Sequence, residues 1–230
     1  MKNNPLNQIF SNIKCAIFDM DGTILDSMGM WHTIGAQYLQ QNGITPREGL
    51  WDDIKRFNLV ESADYFIEKY NIQKPREEIM DEIRALISGH YEKTLQLKDG
   101  ARKLLERLNE MKIPCLLATA TDRTSVLACM RRLDCEKYFV KILTCLEYNT
   151  TKSEPVIFEK SAEVCKAKAE ECLVFEDALH ALRTAHNAGF KTVAVYDESD
   201  EEKTEPPLTD WERMLEICDA SCLSLTEIEI

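Results

Sequence analysis

No run of apolar residues in this 230-residue chain approaches the ~18 that a membrane-spanning helix needs, so no membrane partner is expected. Residues 1–11 are polar and lack the apolar stretch of a secretory signal, and the expectation is a cytoplasmic protein. Positive charge is scarce: 28 Lys and Arg stand against 40 Asp and Glu, a formal net charge of −12. Most of such a surface repels a nucleic-acid duplex, and no nucleic-acid partner is expected. A small anionic substrate stays admissible, because one metal ion and one lysine reverse the field locally. Paired cysteines are also missing. The nine cysteines are Cys15, Cys115, Cys129, Cys135, Cys145, Cys165, Cys172, Cys218 and Cys222; none forms a C-x-x-C pair. That argues against a zinc site or a disulfide framework, and for reduced thiols packed as small hydrophobes. His90, His180 and His186 show no ligand spacing, and the chain has no internal repeat or low-complexity segment.

What is present is material for a core. Hydrophobic residues make up 44% and charged residues 30%, a balance unlike that of disordered chains. At ~150 residues per domain the length suits one large domain or two small ones. Six short apolar runs read as strands: 14–18 (KCAIF), 114–118 (PCLLA), 140–143 (VKIL), 172–175 (CLVF), 192–195 (TVAV) and 220–223 (ASCL). They are nearly continuous in apolar character rather than alternating, as strands covered on both faces of a parallel sheet are. Helical patterns lie between them over 100–111, 123–133, 155–165 and 179–188, the last followed by Gly189 as a C-cap. The alternation predicts an α/β domain with a doubly wound, Rossmann-like parallel sheet. The stretch from about 28 to 95 differs. It has no convincing strand, and its apolar residues recur at helical spacing: Trp31, Ile34, Tyr38 and Leu39; Tyr65, Phe66 and Ile67; then Ile79, Ile83, Leu86 and Ile87. An all-helical module inserted after the first strand is predicted. The acidic stretch 197–205, followed by Pro206 and Pro207, reads as a solvated loop.

The polar residues fall at the strand ends. Asp19 and Asp21, Thr119, and Glu176 and Asp177 each follow a predicted strand. In open parallel sheets ligands bind outside the carboxyl ends of the strands, so neighbouring strands would bring four carboxylates and a hydroxyl to one edge. Carboxylates so crowded repel one another unless a cation neutralises them, and hard oxygen ligands favour Mg2+. In Asp19-Met20-Asp21-Gly22-Thr23 the two aspartates can share one site if the backbone turns at Gly22. One carboxylate can then attack while the other handles protons.

These residues resemble the motifs of the haloacid dehalogenase superfamily, in the subgroup with a small helical cap that includes beta-phosphoglucomutase and phosphoglycolate phosphatase. The resemblance covers about residues 13–195. It rests on FDMDGT (18–23), on the apolar run ending at Thr119 within LLATAT, on Lys152 before Pro155-Val156-Ile157-Phe158, and on VFEDA (174–178). It implies that Asp19 is a nucleophile forming an aspartyl-phosphate, and that Asp21 is the acid and then the base. Asp177, Asp19 and the Asp21 main-chain carbonyl would hold Mg2+, with Glu176 behind. Thr119 and the Ala120 N–H would hold phosphate oxygens, and Lys152 would pair with phosphate and orient Asp19. Arg123 is a further candidate for an anionic group of the substrate. One departure stands out: the proline that usually follows the lysine is Ser153 here.

The resemblance further implies a core of residues 1–27 and 96–230, with 28–95 as the cap, its linkers acting as hinges. The expected partner is a small phosphorylated metabolite, such as a sugar phosphate, and a monomer is the working expectation. In the mutase a cap-hinge histidine supports the acid/base aspartate. The aligned position here is Trp31, and the adjacent His32 lies about 100° round the helix. The mutase's R-x-x-S segment is also missing from 58–69 (NLVESADYFIEK). A phosphatase is therefore the leading expectation. A phosphosugar mutase is second, and an inactive phosphosugar-binding module third.

Overall fold

The computed structural model describes residues 9–10, 12–55, 57–198 and 209–229. The chain divides into two compact units, one formed by residues up to Asp26 and from Gln96 onward, the other by Ser27–Leu95.

The first unit is built on a parallel sheet of β1 (Cys15–Phe18), β4 (Cys115–Thr119), β5 (Phe139–Thr144), β6 (Cys172–Glu176), β7 (Lys191–Val195) and β8 (Ala220–Cys222). Its order is β5-β4-β1-β6-β7-β8. The chain winds outward from β1 through β4 to β5, then returns to the other side of β1 and winds outward again. The order in which strands are added therefore reverses between β1 and β6. The three central strands are buried along their whole length, which is why their sequences are apolar without alternation. Ile17, Leu116 and Val174 belong to the cluster that α7 (Val156–Cys165) covers with Ile157 and Phe158. Phe18 stacks on Phe175 across the β1–β6 pair, centroids 4.4 Å apart.

The other helices are α5 (Ala101–Glu110), α6 (Arg123–Arg132), α8 (Leu179–Asn187) and α9 (Asp210–Ile217). Helix α5 buries Ala101, Leu104, Leu105 and Leu108 along one stripe. Its start needs a glycine: Gly100 has φ +87°, and a Cβ there would stand 2.5 Å from the Thr226 nitrogen. Helix α9 begins with a capping box between Thr209 and Glu212. That signal is present in the sequence, yet the predicted pattern did not include this helix. A second short ladder, β2 (Leu25–Asp26) against β3 (Gln96–Leu97), is antiparallel. It joins the segments where the chain leaves and re-enters this unit, and its two-residue strands are too short for any periodicity to show.

The second unit is helical: α1 (Met28–Gln41), α2 (Leu50–Ile54), α3 (Leu59–Tyr70) and α4 (Arg76–Lys93). Ile34, Tyr38, Leu39, Ile54, Phe66, Ile79 and Ile83 form its interior. Gly35 is the closest approach, since a Cβ there would meet Ile54 Cδ1 at 2.6 Å. An Asn58–Glu61 capping box starts α3. His90 joins α4 to α1, its Nε2 lying 2.7 Å from Gln37 Oε1. Trp31 is half-buried on α1, and His32 packs on Trp51 with centroids 4.2 Å apart.

Of the acidic stretch read as a solvated loop, 199–205 and both prolines lie outside the described residues. Asp197 departs from that reading: its side chain is 8% exposed because it pairs with Lys98 at 2.7 Å. All nine cysteines are free thiols, seven of them buried. Among the described residues no helix is long and apolar enough to cross a membrane.

Candidate active site

The site forms where β1 and β6 end side by side, at the reversal of the sheet. In sheets of this order that reversal point is where a ligand crevice lies, since the connections from the two strands go to opposite faces. Asp19 is the first residue beyond β1, and its N–H donates to the Phe175 carbonyl at 3.0 Å, continuing the ladder for one step. The chain then turns sharply. Gly22 is in the left-handed region at φ +79°, and the N–H groups of Ile24 and Leu25 both donate to the Met20 carbonyl. The turn pairs Asp21 with Leu25 in an isolated bridge.

Beyond β6, Glu176 and Asp177 reach the same place. Asp19, Glu176 and Asp177 can each place a carboxylate oxygen within 4.8 Å of those of the other two, and all three residues are buried. Lys152 enters from the loop before α7. Its ammonium bonds Asp19 Oδ1 and, at 2.8 Å, Glu176 Oε1. Glu176 also accepts the Asp177 N–H at 3.1 Å through its other oxygen, and the Thr23 hydroxyl donates to Asp177 Oδ1 at 2.8 Å. The position after Lys152 matters here: the Ser153 N–H donates to the Thr151 hydroxyl at 3.3 Å, a bond that proline could not make.

The charges do not balance. Three buried carboxylates face one ammonium. Burial pushes the Asp19 carboxyl up to about 6, and the Glu176 charge adds to the rise against the opposing pull of Lys152. Burial works to lower Lys152, but the charges of Asp19 and Glu176 outweigh it and leave the ammonium above its ordinary value. A divalent cation would remove the mismatch. The donor set, all oxygen and mostly carboxylate, fits a hard ion such as Mg2+.

Asp21 is not one of the three clustered carboxylates. Its Oδ2 accepts from the Thr121 hydroxyl at 2.6 Å. Thr119, 1% exposed at the end of β4, accepts the Thr121 N–H at 3.0 Å, and the helix α6 is capped by Asp122 instead. Ala120 is exposed beside them. The structure thus gathers Asp19, Lys152, Glu176 and Asp177, and places Asp21, Thr119 and Ala120 on the adjoining turns. Arg123 is not gathered with them. Its Nη2 donates to Glu147 and to the Ile142 carbonyl at 2.7 Å, and its Nε to Glu147, which ties the guanidinium to β5 and the turn after it. Thr23 and Thr121 were given no role from sequence alone. Thr23 lies within the D-x-D-G-T string and Thr121 repeats the Thr119 hydroxyl two residues on, the only signals available.

The sheet has the Rossmann order and carries carboxylates and one lysine at the point where that order reverses. Residues 16–195 match the haloacid dehalogenase-like hydrolases, and the chain belongs to that family. It is 26% identical over 194 residues to a phosphorylated carbohydrates phosphatase of Thermotoga maritima, covering 79% of this chain and 84% of that one. It is 26% identical over 197 residues to a Drosophila melanogaster protein provisionally named a pseudouridine-5'-phosphatase, covering 83% and 85%. A crystal structure from Thermotoga maritima, provisionally named a beta-phosphoglucomutase, superposes with a TM-score of 0.82 at 23% identity, over 94% of this chain and 97% of that one.

Proposed function

We propose that this chain is a Mg2+-dependent phosphatase that hydrolyses a small phosphorylated metabolite, such as a sugar phosphate, through an aspartyl-phosphate on Asp19. The observation that carries the reading is the division of the carboxylates. Asp19 stands in a buried cluster against Lys152, while Asp21, outside that trio of carboxylates, accepts from the Thr121 hydroxyl.

In the first step an Asp19 carboxylate oxygen attacks the phosphorus. The bond from phosphorus to the ester oxygen breaks, and Asp21 gives its proton to the departing alcohol. In the second step water attacks the phosphorus of the acyl-phosphate, Asp21 takes the water's proton, and the bond to Asp19 breaks to release inorganic phosphate. Lys152 fixes the attacking oxygen and offsets charge on the transferring group. Thr119 and the Ala120 N–H would bind phosphate oxygens. Asp19, Asp177 and the Asp21 carbonyl would hold Mg2+, with Glu176 supporting the set; the ion supplies neutralisation of the phosphoryl charge.

The helical unit Ser27–Leu95 is read as the cap that selects substrate, with the β2 and β3 segments as its hinges. The phosphatases among the relatives support this reading over a phosphosugar mutase. So does Trp31, which the resemblance aligns with that mutase's supporting histidine.

Phosphate release should be measured with Mg2+ across a panel of phosphorylated metabolites, with Asp19→Ala as the blank. Release from one or a few esters, reduced on the order of 10⁴-fold or more in the blank, is expected. Including beta-glucose 1-phosphate separates the alternatives, since glucose 6-phosphate without free phosphate means a mutase. A beryllium fluoride adduct on Asp19 is also expected, and its absence together with no turnover favours the inactive binding module.

A further inference from the structure

Lys98 lies directly after β3, where the chain re-enters the first unit. Its ammonium has three oxygen partners: the Gly22 carbonyl at 2.5 Å, the Tyr196 carbonyl at 2.9 Å and the Asp197 carboxylate at 2.7 Å. An ammonium carries three protons, so this set uses all of them. The pair is enclosed, Lys98 being 17% and Asp197 8% exposed. Enclosed pairs hold a fixed geometry, which most surface pairs do not. The Lys98 main-chain N–H also donates to the Ile24 carbonyl at 3.0 Å. One residue therefore grips the turn after β1 at two carbonyls.

Gly22 has no side chain to restrict it and sits at φ +79°. On its N-terminal side is Asp21, the proposed proton donor. On its C-terminal side is Thr23, bonded to Asp177. A change in the Gly22 dihedrals shifts the Asp21 side of the turn relative to the Thr23 side. The Lys98 ammonium opposes that change by holding the Gly22 carbonyl, and Asp197 seats the ammonium from just beyond β7. Neither residue belongs to the chemistry set out above, and neither belongs to the motifs that carry the resemblance.

We infer that Lys98, seated by Asp197, is a positioning residue for the acid Asp21. This rests on the phosphatase reading. Its consequence is specific to the step that uses the acid. An alkyl phosphate needs a proton delivered to its departing oxygen, whereas a p-nitrophenyl phosphate leaves as a stable phenolate and needs little help. A displaced Asp21 therefore penalises the alkyl ester more.

The test compares kcat/KM, which reports formation of the phosphoenzyme, for an alkyl and a p-nitrophenyl phosphate. Lys98→Met should lower the alkyl value by about tenfold or more and the aryl value by less than about threefold. Asp197→Asn keeps the shape and one oxygen acceptor, so it should give the same selective loss at smaller size, and it serves if Lys98→Met folds poorly. Lys98→Arg should recover part of the alkyl activity. Equal losses on the two esters, or none, would overturn the positioning role while leaving the phosphatase reading intact. No Asp19-dependent turnover of either ester by the unmodified protein would instead overturn the phosphatase reading, and this role with it.

Discussion

The hydroxyl of Thr121 donates to the Asp21 carboxylate at 2.6 Å and bears on how that carboxyl is presented. A hydrogen bond to a charged group contributes ~1.5–3 kcal/mol. It also fixes direction, which matters more in proton transfer than strength does. Thr121→Val keeps the shape of the side chain and removes the donor. The expected result is a drop in kcat of about tenfold with KM little changed. Thr121→Ser should restore most of the loss, because it returns the hydroxyl without the methyl group. Steady-state kinetics on the best substrate of the panel would check this, and a loss confined to KM would place Thr121 in substrate binding instead. Arg123 shows the opposite case at the same scale. Its position just beyond the Thr119 turn suggests an anion contact, but Glu147 neutralises it in the structure. A residue's neighbour along the chain is visible in a sequence, whereas its partner 24 positions away is not.

The elements that read clearly from the chain are those whose environment is uniform. β1, β4 and β6 are buried on both faces, so unbroken apolar runs reveal them. Helix α5 has one buried stripe, so its period reveals it too. Their ends were legible as well, since polar residues at the carboxyl ends of buried strands require a reason to be there. Elements set by tertiary pairing were not legible. The β2–β3 ladder is two residues long on each side, and its existence depends on segments 70 residues apart meeting. Lys98 and Asp197 are likewise ordinary surface residue types until the turn after β1 and the end of β7 come together. Gly100 is a similar case, and it carries a prediction. Its φ of +87° alone disfavours a side chain, and a Cβ would also meet backbone, the Thr226 nitrogen at 2.5 Å and the Leu225 carbonyl carbon at 2.6 Å. Gly43 has a comparable φ of +72° with open space around it. Gly43→Ala should cost about 1 kcal/mol from the backbone alone, and Gly100→Ala clearly more, about 2–3 kcal/mol, because the segment 225–226 must move. Urea unfolding of the two variants measures the difference; equal losses would mean that this close approach is unimportant.

At the scale of the whole molecule, an acidic chain encloses a carboxylate cluster that one lysine does not neutralise, and stability should therefore depend on pH in a way that metal reverses. Asp19 in the folded, metal-free protein holds its proton up to about pH 6, against an ordinary value of 3.8. The folded state then binds more protons than the unfolded state across that interval. Its stabilising contribution is full below about pH 4 and is lost as pH rises through about 6, on the order of 3 kcal/mol in all. Four other carboxylates act in the opposite sense. Asp134, Glu136, Glu147 and Glu171 are lowered by hydrogen bonds from Lys137, Arg131, Arg123 and Lys14, so their contributions are present above the ordinary carboxylate range and fade as pH falls. The raw stability curve mixes both senses, but Asp19→Asn removes only the first. The difference between unmodified protein and Asp19→Asn should thus favour the unmodified protein at pH 4 and the variant at pH 7.5, without metal. Under the proposed metal set, in which the ionised cluster holds the ion, Mg2+ should raise the melting temperature of the unmodified protein far more at pH 7.5 than at pH 4.5, and that of Asp19→Asn little at either. Thermal melts at the two pH values, with and without Mg2+, test this without any turnover. An equal Mg2+ shift at both would remove Asp19 from the metal set, and a shift retained in Asp19→Asn would leave Asp177 and Glu176 as its main holders.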